Sequence, residues 1–156
     1  MIEKAGYRVA DPESLETPVM VVYEERINHN IRALSELVGG SDNLMPHVKT
    51  HKAEAVARKQ VESGVVGFKC ATLSEAEMAL SAGGKEVVLA YPLTQRIKAE
   101  RFADLVAQNG DALVVAIVSR SEHVDLLGQV GQERGTVLQA MVDLDVGMLR
   151  TGVLLG

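Results

Sequence analysis

Short apolar runs alternate along this chain with longer segments in which apolar residues recur at helical spacing. Val19-Met20-Val21-Val22-Tyr23, introduced by Thr17-Pro18, reads as a first strand. A helix is predicted from Glu24 to Leu37, with Ile27, Ile31, Leu34 and Leu37 on one face and Gly39-Gly40 ending it. The run Leu44 to Lys49 reads as the next strand, followed by a helix from about Ala53 to Glu62 that stops at Ser63-Gly64. Val66 to Ala71 is predicted as a strand. Thr72 and Glu75 then stand at capping-box spacing before a helix reaching Leu80, with Gly83-Gly84 beyond it. The alternation continues with strands at Val87 to Tyr91, Ala112 to Val118 and Val137 to Asp143, and helices at Gln95 to Gln108 and Ser121 to Arg134.

Strands separated by roughly two dozen residues, each followed by a helix, describe consecutive βα units and a parallel sheet. Right-handed crossovers restrict the fold to a doubly wound sheet or a barrel. The barrel is favoured because polar or reactive residues gather at the C-terminal ends of the strands: Lys49, Cys70-Ala71-Thr72, Tyr91-Pro92, Ser119 and Asp143 to Asp145. No Gly-rich phosphate loop follows an early strand, as a dinucleotide-binding sheet requires. From Leu44 onward five such strands are counted, whereas a closed (β/α)8 barrel has eight and typically ~250 residues. The expectation is therefore an α/β fold that forms part of a TIM barrel.

Composition narrows the function classes. The chain has 156 residues, 47% hydrophobic and 24% charged, in the range of an ordinary globular domain. A net charge of -5 and a pI near 5.4 supply no basic surface for nucleic acid. The longest apolar runs, such as Ala112 to Val118, fall far short of the ~20 residues that cross a bilayer. Met1-Ile2-Glu3-Lys4 is followed by polar residues without an apolar core, so no signal peptide is expected and the cytoplasm is the expected location. The single cysteine, Cys70, lies in an apolar run and reads as a buried structural thiol.

The candidate chemistry centres on Pro46-His47-Val48-Lys49-Thr50-His51-Lys52. A lysine at a strand end forms a Schiff base with a carbonyl compound when burial or nearby cations lower its pKa. On the residues alone, Lys49 reads first as a solvated surface lysine, because lysine is rarely buried unless paired. His47 and His51 flank it and are candidates for proton relay, since imidazole titrates near neutral pH, or for packing roles. They have no third ligand nearby, so no metal site is expected there. Lys52 reads as a solvated residue at a helix start or as a cation acting on Lys49, and Glu75 and Glu77 as the charged first turn of a helix.

Five ordered blocks carry a family resemblance: Thr17-Pro18 with Asn30, Pro46 to Lys52, Cys70-Ala71-Thr72 with Glu75-Ala76-Glu77, Ala90-Tyr91-Pro92-Leu93, and Asp143 to Val153. Together they resemble the D-threonine aldolase and D-serine dehydratase family, related to the N-terminal barrel of alanine racemase. The resemblance implies that Lys49 holds pyridoxal 5'-phosphate and that Arg150 neighbours the cofactor's phenolic oxygen. Asp143 would hold Arg150, Tyr91 would line the pocket, and His47 and His51 would serve as catalytic proton carriers. It implies a lyase acting on a D-β-hydroxy amino acid, breaking the Cα–Cβ bond as an aldolase or expelling the hydroxyl as a dehydratase, and working as a homodimer. Met45 stands where the family usually has arginine.

In relatives the phosphate-binding loops, later strands and a C-terminal β-domain with divalent-metal ligands follow the part represented here. The expectation is thus an incomplete barrel over residues 24–156, inactive as it stands, preceded by an N-terminal strand segment over residues 1–23 that in relatives packs on the β-domain. The alternatives are a non-catalytic barrel fragment, a pyridoxal-phosphate carrier or homeostasis protein, and a cofactor-free Schiff-base aldolase.

Overall fold

The computed structural model describes residues 2–4 and 6–154. A small antiparallel pair, β1 (Ile2–Lys4) and β2 (Tyr7–Val9), opens the chain and precedes α1 (Glu24–Leu37). Tyr7 of β2 packs on Tyr23 with ring centroids 4.9 Å apart, and the Arg26 guanidinium lies 5.5 Å from the Tyr7 centroid, so the hairpin docks at the start of α1. The main sheet holds β3 (Gly67–Cys70), β4 (Glu86–Leu89), β5 (Leu113–Val118) and β6 (Gln139–Val142), all parallel and in chain order. Between them run α3 (Leu73–Ser81), α4 (Arg96–Gln108) and α5 (Ser121–Arg134), with α2 (Glu54–Glu62) before β3. Two short strands, β7 (Leu144–Asp145) and β8 (Val153–Leu154), pair in parallel beyond β6.

The alternation of side chains along each strand decides where the core lies. Phe68, Cys70, Val87, Leu89, Val114, Ala116 and Val118 point to one face, where they pack with Ala57, Ala76, Ala79, Ala99, Phe102, Leu127 and Val130 from the four helices α2 to α5. Lys69, Val88, Val115 and Met141 point to the other face, where with Met45 they line a cavity of about 200 Å³. Helices on one face of a sheet whose strands keep chain order are the arrangement of a barrel wall, since a doubly wound sheet reverses its order and covers both faces. The wall closes tightly at Gly67. A Cβ there would lie 2.7 Å from the Glu86 Cβ and 2.9 Å from the Met45 Cε, so only glycine admits this approach.

Surface ion pairs join successive helices: Lys59 to Glu24, Arg101 to Glu77, Arg134 to Asp104, and Arg96 to Glu133. Being exposed, each contributes at most about 1 kcal/mol.

Two predicted strands are corrected. Val19 to Val22 are exposed and pair with no strand among the described residues. Leu44 to Lys49 is reduced to a single parallel bridge between His47 and Lys69, after which Val48 to Thr50 wind into a 3-10 turn. His47 caps this turn, its Nδ1 accepting the Lys49 N–H at 3.4 Å.

Candidate active site

The bridge at His47 and the turn after it bring Lys49 to the C-terminal end of the barrel wall, beside β3. Val48 is the anchor of the turn, fully buried in the core, while the Lys49 side chain on the next residue is exposed. The turn is closed by hydrogen bonds from the His51 and Lys52 amides to the Val48 carbonyl, at 3.1 and 2.8 Å. Lys52 sits in the left-handed region with φ of 49°, uncommon for a residue with a side chain. Among the described residues, the Lys49 ammonium is held by no hydrogen bond or ion pair.

The two histidines have the same local geometry. His47 Nδ1 accepts from the Lys49 N–H at 3.4 Å, and His51 Nδ1 accepts from the Ala53 N–H at 3.1 Å, at the start of α2. A nitrogen that accepts carries no proton, so each neutral ring bears its hydrogen on Nε2. The two Nε2 atoms then differ in surroundings. A hydrogen bond to the Lys69 backbone acts on the His47 ring. His51 Nε2 and Gln60 Oε1 are both buried, and neither has a hydrogen-bond partner among the described residues. Burial holds both histidines below the usual imidazole range, and for His47 the Lys49 ammonium adds to the effect.

Behind the turn lies Glu75, in the first turn of α3. The capping geometry expected from Thr72 and Glu75 is present, with the Glu75 N–H donating to Thr72 Oγ1 at 3.2 Å. The Glu75 carboxylate itself reaches one residue further back and accepts from the Ala71 N–H at 2.7 Å. Glu75 is only 5% exposed, although sequence reasoning reads it simply as part of the charged first turn of a helix. His123 repeats this reach at the end of β5, accepting from the Ser119 N–H at 3.3 Å. Cys70 is buried, and burial pushes its thiol up to about 12, which leaves it chemically inert at neutral pH.

Asp143 and Arg150 lie past β6. The Asp143 N–H donates to the Val118 carbonyl and its own carbonyl accepts from the Val153 N–H, so Asp143 joins β5 to β8. Its Oδ2 is buried and has no hydrogen-bond partner among the described residues. Arg150 follows a turn organised by Asp145, whose Oδ1 accepts from the Gly147 and Leu149 amides at 2.9 and 3.0 Å. Those amides hold the Asp145 carboxyl below the usual carboxylate range. Gly152 lets the chain return against β7, since a Cβ there would sit 2.5 Å from the Asp145 nitrogen. Sequence reasoning missed Asp145 as the organiser of this turn. The signal was available, because aspartate followed by Val-Gly is a common turn-forming combination.

Tyr91 falls elsewhere. It lines a cleft of about 260 Å³ with Thr72, Pro92, Lys98 and Arg101, and none of Pro46 to Lys52, Asp143 or Arg150 borders that cleft. Among the described residues no group of three His, Cys, Asp or Glu side chains is placed to hold a metal, and no helix is long and apolar enough to cross a membrane.

A parallel wall in chain order with helices on one face, Lys49 beside the C-terminal end of β3 and Asp143 and Arg150 past β6, defines part of a (β/α)-barrel domain. The chain belongs to the alanine racemase N-terminal domain family, whose model, "Alanine racemase, N-terminal domain", matches residues 22–155. It is 28% identical over 145 residues to 3-hydroxy-D-aspartate aldolase of Paracoccus denitrificans, covering 92% of this chain and 37% of the relative. The fold superposes on D-threonine aldolase from Filomicrobium marinum with a TM-score of 0.80 and 27% identity, covering 90% of this chain and 38% of that one. It also superposes on D-threo-3-hydroxyaspartate dehydratase from Delftia sp. HT23, with a TM-score of 0.72, 25% identity and coverage of 89% and 36%. The chain thus spans under two-fifths of the length of these relatives.

Proposed function

We propose that this chain is the lysine-bearing part of a pyridoxal-phosphate lyase acting on D-β-hydroxy amino acids, of the D-threonine aldolase or D-serine dehydratase kind. The observation that carries the reading is Lys49: an exposed, unpaired ammonium on a turn whose neighbours Val48 and His47 are fixed in the core and on β3. The residues present fit the aldehyde-bearing side of the cofactor, with Lys49 as the amine, and Asp143 with its unpaired Oδ2 as a seat for the Arg150 guanidinium beside the phenolic oxygen. When bound, pyridoxal phosphate supplies an electron sink for the bond broken at the substrate's Cα. His47, neutral at physiological pH, holds its proton on Nε2 at the mouth, and in this reading it serves the proton traffic. His51 is given the positioning role, because its Nδ1 holds the start of α2 and its Nε2 is enclosed.

The names of the relatives support the substrate class, with two aldolases and a dehydratase of D-3-hydroxy amino acids among them. Residues 1–23 would form the segment that packs on a further β-domain, residues 24–156 the barrel part, and the working form would be a cytoplasmic homodimer using a divalent metal held outside these residues. A second reading, a non-catalytic barrel fragment, draws support from β6, whose four residues are all exposed.

Titration with pyridoxal phosphate, followed by visible absorbance, tests the proposal. The wild-type chain should develop the band of lysine-bound cofactor and Lys49→Ala should not. A band of undiminished strength in Lys49→Ala would sink the assignment.

A further inference from the structure

We propose that Glu75 is a positioning residue: its buried carboxylate ties the end of β3 to the Lys49 turn and thereby sets the attitude of Lys49 at the barrel mouth. The inference rests on the reading of Lys49 given above for its purpose, though not for its geometry. Glutamate is rarely buried unless paired, yet this side chain is 6% exposed. One carboxylate oxygen, Oε2, accepts from the Ala71 N–H at 2.7 Å, which a capping role explains. The other, Oε1, lies 3.7 Å from the Lys52 ammonium, on the residue that ends the Lys49 turn in a left-handed conformation.

A cap alone does not require the charge. A glutamine amide oxygen would accept from the Ala71 N–H as well, and without the desolvation cost of a buried carboxylate. The charge has its counterpart in the groups that face it. Lys52 comes from the end of the turn, His47 and His51 from its two sides, and Cys70 from the end of β3, and the carboxylate acts electrostatically on the last three. It opposes, without overcoming, the burial that favours neutral imidazole on both histidines. A single negative charge at Glu75 therefore acts on both histidines that flank Lys49 and lies 3.7 Å from the ammonium of the residue closing its turn.

The test uses the full chain without cofactor, so that it stands or falls apart from the lyase reading. Histidine titration by NMR in Glu75→Gln should show the His47 and His51 pKa values lowered below those of the wild type, since the charge that raises them is gone. Amide exchange at His51, whose N–H closes the turn onto Val48, should accelerate about tenfold. Glu75→Asp, which keeps the charge, should restore the titrations in part. Pyridoxal phosphate should then bind Glu75→Gln about tenfold more weakly at Lys49 than wild type. Should Glu75→Gln fail to fold, Lys52→Gln breaks the same contact from an exposed side chain and is expected to accelerate His51 exchange with unchanged thermal unfolding. Titrations and exchange identical to wild type in Glu75→Gln, or wild-type exchange in Lys52→Gln where the first variant does not fold, would overturn the proposal. Wild-type protein that binds no cofactor would overturn the lyase reading and leave the Glu75 result standing.

Discussion

The wall from β3 to β5 and the segments that precede and follow it in the chain are built from the same kinds of residue and end in opposite surroundings. Val87, Val114 and Val118 are buried against Phe68, Phe102 and Leu127, whereas Val19, Met20, Val142, Val146 and Met148 are between 51% and 87% exposed. The difference teaches that apolar patterning specifies a strand only where a neighbour exists to receive it. Hydrogen-bond ladders and helix packing come from other segments, and a run such as Val19 to Val22 without them stays extended and unpaired.

That contrast is broken most directly by equal truncations in the two regions. Phe68→Ala, at the centre of the packed wall, should cost about 3–5 kcal/mol in urea unfolding. Val142→Ala on the exposed edge should stay within about 0.5 kcal/mol. Equal costs would show that the edge is packed in solution. Gly67→Val should destabilise by about 1–3 kcal/mol through the clash with Glu86 and Met45, and a tolerated valine would mean that β3 and β4 are further apart than described. Thr72→Ala, which removes the cap of α3, should cost about 1 kcal/mol by the same measurement.

A smaller effect is expected from pH. The folded state holds His47 and His51 below their unfolded value of 6.5, so the unfolded chain takes up protons first as pH falls. Their contribution to stability is complete above 6.5 and is lost as pH drops from there through the lowered folded values. Urea midpoints measured from pH 8 to pH 5 should show this decline, and His51→Gln should lessen its slope. A midpoint that rises on acidification over this range would show the histidines to be stabilised as cations.

Much of the wall was legible because its signals are local and repeated. The helices α1 to α5 and the strands β3 to β6 all begin within about two residues of the pattern read from periodicity and caps, the usual scatter of element ends. The strand before Lys49 differs for a physical reason: Val48 and Leu44 are apolar because they pack on the core, and the chain leaves the sheet after one bridge at His47 to wind into a 3-10 turn. The same holds for the site. Lys49, Asp143 and Arg150 announce themselves by residue type and by resemblance, while the burial of Glu75 and the enclosure of His51 Nε2 arise from long-range packing of α2, α3 and the turn. Periodicity carries no record of that.

The central claim is that Lys49, of all the lysines in the chain, is the one presented for carbonyl chemistry. Incubation with pyridoxal phosphate, reduction with borohydride and peptide mapping by mass spectrometry tests it most directly. The account predicts a reduced adduct concentrated on Lys49, with Lys52, paired to Glu75, modified far less. An adduct spread evenly over the lysines, or concentrated on Lys52 or Lys69, would contradict it.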